Sequence, residues 1–108
     1  MVGSYGCFLA KVMVDLQAMT YIELEPEIGR CIETTARLRH RRLVERMLQR
    51  GEASDSEAQE ADLLRVFLEE ADFHQLRAMS EPVLAEGRRV VFEVSGEGES
   101  VCWKMEER

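Results

Sequence analysis

A chain of 108 residues has room for one domain with one modest hydrophobic core. With 45% hydrophobic and 32% charged residues it is patterned as a globular protein, neither a disordered tail nor a membrane span. A net charge of −7 repels phosphate over the whole surface, which excludes general nucleic-acid affinity and leaves only a local basic surface to provide it.

The first segment, residues 8–16, reads FLAKVMVDL. As a strand it places Phe8, Ala10, Val12, Val14 and Leu16 on one face, with Lys11 and Asp15 on the other. As a helix it would be an almost wholly apolar rod carrying one i,i+4 ion pair. The strand is the expectation. Lys11 and Asp15, and the lack of a basic start, argue against a signal peptide, and the segment is too short to cross a bilayer. Residues 20–24, TYIEL, read as a second extended piece before Pro26. Met19 opens the well-patterned part of the chain. A start there would make residues 1–18 an extension of a domain otherwise running over 1–108.

The longest helical signal runs from Glu25 to Gly51. Pro26 suits a first helical turn and Gly51 the left-handed position just past a helix end. Ile28, Cys31, Ile32, Thr35 and Ala36 share a face at 100° per residue, which predicts a core-facing stripe. Further along, Arg39, Arg42, Arg46 and Arg50 continue that line, while Leu43, Val44, Met47 and Leu48 turn to one side. The second half of the helix therefore meets a different neighbour from the first.

Residues 26–51 carry seven Arg against three Glu, a net +4, and residues 52–72 carry eight acids against Arg65, a net −7. Such a succession predicts two antiparallel helices with complementary charge. Ser54 and Glu57 form a capping box for the acidic helix, whose stripe is Ala61, Leu64, Phe67, Leu68 and Ala71, with Leu63 at the edge. Asp72, with Gln75 three residues on, predicts a third helix. Pro82 conflicts with an uninterrupted run there, so either a kink near 78–82 or a new turn capped by Ser80 is expected.

Residues 88–106 form a β-hairpin signal around Gly96-Glu97-Gly98. A two-residue turn at Glu97-Gly98 would pair Val94 with Val101, Phe92 with Trp103 and Val90 with Met105, all on one apolar face. A two-stranded hairpin is marginal in water. It needs the helices on that face, and a third strand from residues 8–16 or from a second copy.

Cys7, Cys31 and Cys102 are odd in number, and their spacing suits no metal site; buried thiols in a reducing cytoplasm are expected. No Gly-rich phosphate loop, nucleophile elbow, CxxC or HExxH occurs, and His40 and His74 lie on different predicted helices. The expectation is an α+β domain: a helical hairpin and a further helix packed on a small antiparallel sheet that includes a C-terminal β-hairpin.

In function the pattern points to a small non-enzymatic protein-interaction module without cofactor or metal, cytoplasmic, self-associating as a homodimer, and free of any membrane. Arg37, Arg39, Arg41, Arg42, Arg46 and Arg50 are its candidate partner-binding residues, because a guanidinium fork grips carboxylate or phosphate at two points. The alternative is a nucleic-acid-binding regulator using the Arg-rich helix 37–50. A third possibility is an enzyme completed only at a subunit interface, to be recognised by a cleft holding a perturbed carboxylate or His74.

Overall fold

The computed structural model describes residues 4–9, 18–97 and 100–108. In chain order the elements are β1 (Ser4–Leu9), β2 (Met19–Leu24), α1 (Ile32–Arg50), α2 (Asp55–Glu70), α3 (Phe73–Ala85), β3 (Val90–Glu97) and β4 (Ser100–Glu107). The four strands form one antiparallel sheet in the order β1-β4-β3-β2, so the fold is α+β, with the helices covering one face of the sheet.

Of the strand expected over 8–16 only residues 8 and 9 are described, and they close β1; residues 10–17 lie outside the described set. β2 matches the expected extended piece. Thr20, Ile22 and Leu24 point inward and are fully buried, while Met19, Tyr21 and Glu23 are exposed. The C-terminal hairpin forms with its apolar set on one face, but its register differs from expectation by two residues. Val94 faces Trp103 and Phe92 faces Met105, and Glu97 opposite Ser100 closes the ladder. The two-residue connection is thus residues 98–99, which lie outside the described set, and not Glu97-Gly98. A slip of two preserves which face every side chain occupies, so hydrophobic alternation could not distinguish the two registers. Phe92 and Trp103 still meet diagonally, with ring centroids 5.9 Å apart.

The hairpin does not need a second copy. β2 flanks it on the β3 side and β1 on the β4 side. Gly6 lies opposite Trp103, and a Cβ there would come within 2.8 Å of the indole ring, so only glycine lets β1 lie this close against the tryptophan.

α1 is shorter than expected. It begins at Ile32 with Cys31 as N-cap, and residues 25–31 are irregular. Gly29 is the physical reason: it takes φ = 74°, a left-handed conformation that a helix cannot contain. Pro26 therefore lies outside the helix, and Ile28, expected in the core, is 80% exposed. The other end is as expected. Gly51 has φ = 76° and its N–H reaches the carbonyls of Met47 and Leu48, closing the last turn.

α2 carries the full capping box: the Glu57 N–H donates to Ser54 Oγ at 3.2 Å and the Ser54 N–H to Glu57 Oε1 at 3.3 Å. Its buried face is wider than the expected stripe and takes in Leu63 and Val66, because the helix touches α1 on one side and the sheet on the other. α3 starts at Asp72, whose Oδ1 accepts from the Gln75 N–H at 3.1 Å. It runs unbroken through Pro82. Lying in the last turn, the proline removes only one late helical bond. Ser80 starts no new turn. It is buried, and its hydroxyl donates back to the Arg77 carbonyl at 3.4 Å.

The core lies between helices and sheet, built around Phe67, Phe92, Ile22, Leu24 and Leu64. On the outer face of the sheet Cys7 and Cys102 stand directly opposite each other and are joined by a disulfide. The pair corrects the expectation of buried thiols: Cys7 is exposed and Cys102 half-buried, because both sit at outward positions of their strands. Cys31 alone is a free thiol, and it is half-buried. Among the described residues, no helix is long and apolar enough to cross a membrane.

Candidate docking groove

The arginines of α1 do not act as one stripe. Arg37 pairs with Glu33 at 2.7 Å and Arg41 with Glu45 at 3.6 Å, both i,i+4 contacts within the exposed helix. Arg50 reaches across to Glu57 on α2 and so joins the capping box. These three are taken up locally by the chain's own carboxylates.

Arg39 has a different task. Its Nε donates to Thr20 Oγ1 at 2.7 Å and its Nη2 to Glu60 Oε1 at 3.1 Å, while the Thr20 hydroxyl donates to the same Glu60 oxygen at 2.9 Å. One strand and two helices meet in this triangle. Thr20 is only 1% exposed, and its hydroxyl both accepts and donates, so the buried group is satisfied. Arg39 is thus a structural strut, and it fixes α1 beside β2.

Beside that strut lies a groove of about 730 Å³ between α1 and β2. Tyr21, Ile22 and Glu23 form one wall, and Leu38, Arg39, Arg42 and Arg46 the other, with Glu60 at the end contributed by α2. Arg42 and Arg46 are exposed, and among the described residues neither has an ion-pair or hydrogen-bond partner. Of the six candidate arginines the groove brings together three. One is spent on the fold and two remain available. Arg37, Arg41 and Arg50 lie elsewhere.

Tyr21, Glu23, Thr20 and Glu60 were not among the candidates. Nothing in sequence spacing could have drawn them in, because they join the site only through the packing of β2 and α2 beside α1. A second, more apolar hollow of about 470 Å³ lies where the end of α1 meets the start of α2, between Val44, Met47, Leu48 and Ala61. Leu48 stands 75% exposed at its rim.

Among the described residues two groups titrate away from their ordinary values, and neither lies in the groove. Glu57 is held below the usual carboxyl value, chiefly by the Arg50 guanidinium and then by Ser54. The Cys31 thiol is lowered chiefly through Thr34, side chain and then backbone, at the start of α1. Among the described residues no group of three His, Cys, Asp or Glu side chains could hold a metal ion.

A family model matches residues 19–103, well over half of the chain, and the chain belongs to that family. The match takes in both walls of the groove and begins at Met19, so β1 falls outside it. No curated protein and no solved structure matches the chain.

Proposed function

We propose that this protein is a small non-enzymatic recognition module whose α1–β2 groove docks an acidic surface of a partner protein. The observation that supports this is the selective pairing of the α1 arginines. Arg37, Arg39, Arg41 and Arg50 all find carboxylates within the chain, whereas Arg42 and Arg46, which line the same groove, find none among the described residues. Two neighbouring guanidinium groups beside Tyr21 and Leu38 offer charge-assisted bonds together with apolar contact. The acidity of the rest of the molecule disfavours a polyanion as long as nucleic acid, which would extend past the groove onto repelling surface.

The test is fluorescence anisotropy with two labelled probes, a decaglutamate peptide and a twelve-nucleotide single-stranded DNA, at low and at physiological salt. The peptide is expected to bind, and the double variant Arg42→Glu/Arg46→Glu to weaken it at least tenfold, since each lost contact is worth about 1 kcal/mol or more. DNA bound more tightly than the peptide, and lost in the same variant, would overturn the proposal in favour of a nucleic-acid regulator. Peptide binding indifferent to the double variant would remove the groove from consideration. Self-association enters through the same groove only if a second copy supplies the acidic element. A dimer in light scattering that dissociates in the double variant would replace the foreign partner by the protein itself.

A further inference from the structure

We infer that the groove takes its partner as an added β-strand: an extended acidic segment that hydrogen-bonds to the free edge of β2 and presents carboxylates at alternate positions to Arg42 and Arg46. The inference rests on the docking role proposed for the groove and specifies the partner's conformation.

The polarity of the β2 edge can be read. Among the described residues β2 has a neighbour on one side only, β3. The Gly96 N–H donates to the Ala18 carbonyl at 2.9 Å, so Ala18 opposite Gly96 is a hydrogen-bonded pair of the antiparallel ladder. Such pairs alternate. In the observed register Thr20, Ile22 and Leu24 are therefore the residues bonded to β3, and Met19, Tyr21 and Glu23 send their N–H and C=O groups outward. Met19 and Tyr21 are 49% and 46% exposed. Natural proteins blunt such an edge with a proline, a bulge or a covering loop. β2 contains no proline, its ladder with β3 runs without a bulge, and Tyr21 and Glu23 open onto the groove.

The helix opposite supplies the spacing. Arg42 and Arg46 are four residues apart on α1, a rise of about 6 Å. Residues i and i+2 of a strand lie about 6.8 Å apart on one face. Two carboxylates at alternate positions of an added strand would therefore meet the two arginines in step, while the residues between them face Met19 and Tyr21. A second copy suits the edge less well. Its β2 carries a single carboxylate, Glu23, on the outer face. Two-fold pairing of β2 with itself would also set the Arg42 and Arg46 side chains of both copies along one seam, where like charges repel.

The probe is a ten-residue peptide of alternating Glu and Val, compared with the same peptide N-methylated at every second residue. On the protein, Tyr21→Pro removes one outward N–H and leaves the β2–β3 ladder intact, the position at which an edge strand tolerates proline. Strand addition predicts at least a tenfold loss of affinity on peptide N-methylation and on Tyr21→Pro, and slowed amide exchange at Tyr21 and Glu23 in the complex. If Arg42→Glu/Arg46→Glu abolishes binding while N-methylation and Tyr21→Pro leave it unchanged, strand addition is wrong and the docking groove stands. If none of the three matters, both fail. A dimer that Tyr21→Pro breaks would assign the edge to a second copy instead. Should Tyr21→Pro not fold, the N-methylated peptide on the wild-type protein decides alone.

Discussion

Thr20 shows how much one hydroxyl can organise. It sits among apolar residues on the inner face of β2, yet it is bonded to both Arg39 and Glu60. Replacing it with valine keeps the shape and deletes both bonds, leaving Arg39 and Glu60 to pair directly at the surface. Thr20→Val is expected to cost about 1–2 kcal/mol, read as a lower urea midpoint with unchanged slope. An unchanged midpoint would mean that the triangle merely decorates a contact held by packing. This residue could not be identified from sequence. A threonine alternating with Ile and Leu reads as an ordinary strand former, and its partners lie 19 and 40 residues away.

At the scale of elements, legibility followed the range of the physics involved. The capping box of α2, the Asp72 cap of α3 and the left-handed Gly51 are local devices, decided within four residues, and all three are where their sequence signals placed them. The start of α1 is not legible in the sequence because proline and glycine point opposite ways three residues apart. Pro26 invites a helix, and Gly29 takes a backbone conformation that excludes one until Ile32. The hairpin register was underdetermined because a slip of two leaves every face unchanged. The groove depends on which strand is at the edge, a property of topology alone.

The α1–α2 junction also yields a pH prediction. Glu57 has its carboxyl held low by Arg50 first and by Ser54 after it. A carboxyl depressed in the folded state adds stability that is fully present above the ordinary value of 4.5 and is lost as pH falls through the lowered folded value. Glu57→Gln should therefore narrow the gap between urea midpoints at pH 7 and pH 3. The wild type should lose part of its advantage only on the acid side. An equal gap in both proteins would show that the pair contributes nothing.

For the whole molecule, the disulfide between Cys7 and Cys102 spans a sequence separation of 95 residues. A loop of that size would stabilise the folded state by about 4–5 kcal/mol on chain-entropy grounds, with native strain subtracting from it. Reduction by a small dithiol, or Cys7→Ser, is expected to lower the thermal midpoint by about 20 °C, since a domain of this length shifts by about 4–5 °C per kcal/mol. Trp103, which abuts Gly6, should report the change by red-shifted emission if β1 lifts from β4. An unshifted midpoint and emission would mean that β1 is held by its ladder alone.

The strand order has a further consequence, in time. Both outer strands come from the beginning of the chain and both central strands from its end. On a ribosome adding about 5–20 residues per second, β2 emerges on the order of 3–15 seconds before the strand it must pair with. Through that interval neither of its edges has a native partner, and the helical hairpin is the only part with its neighbours already made. Among the described residues the β3–β4 hairpin is the sheet's only local pairing, and it is synthesised after every other element, so the sheet can assemble only once both its strands have emerged. A nascent chain halted after α3 should carry helix without sheet, with Met19–Leu24 open to any chaperone that binds extended segments.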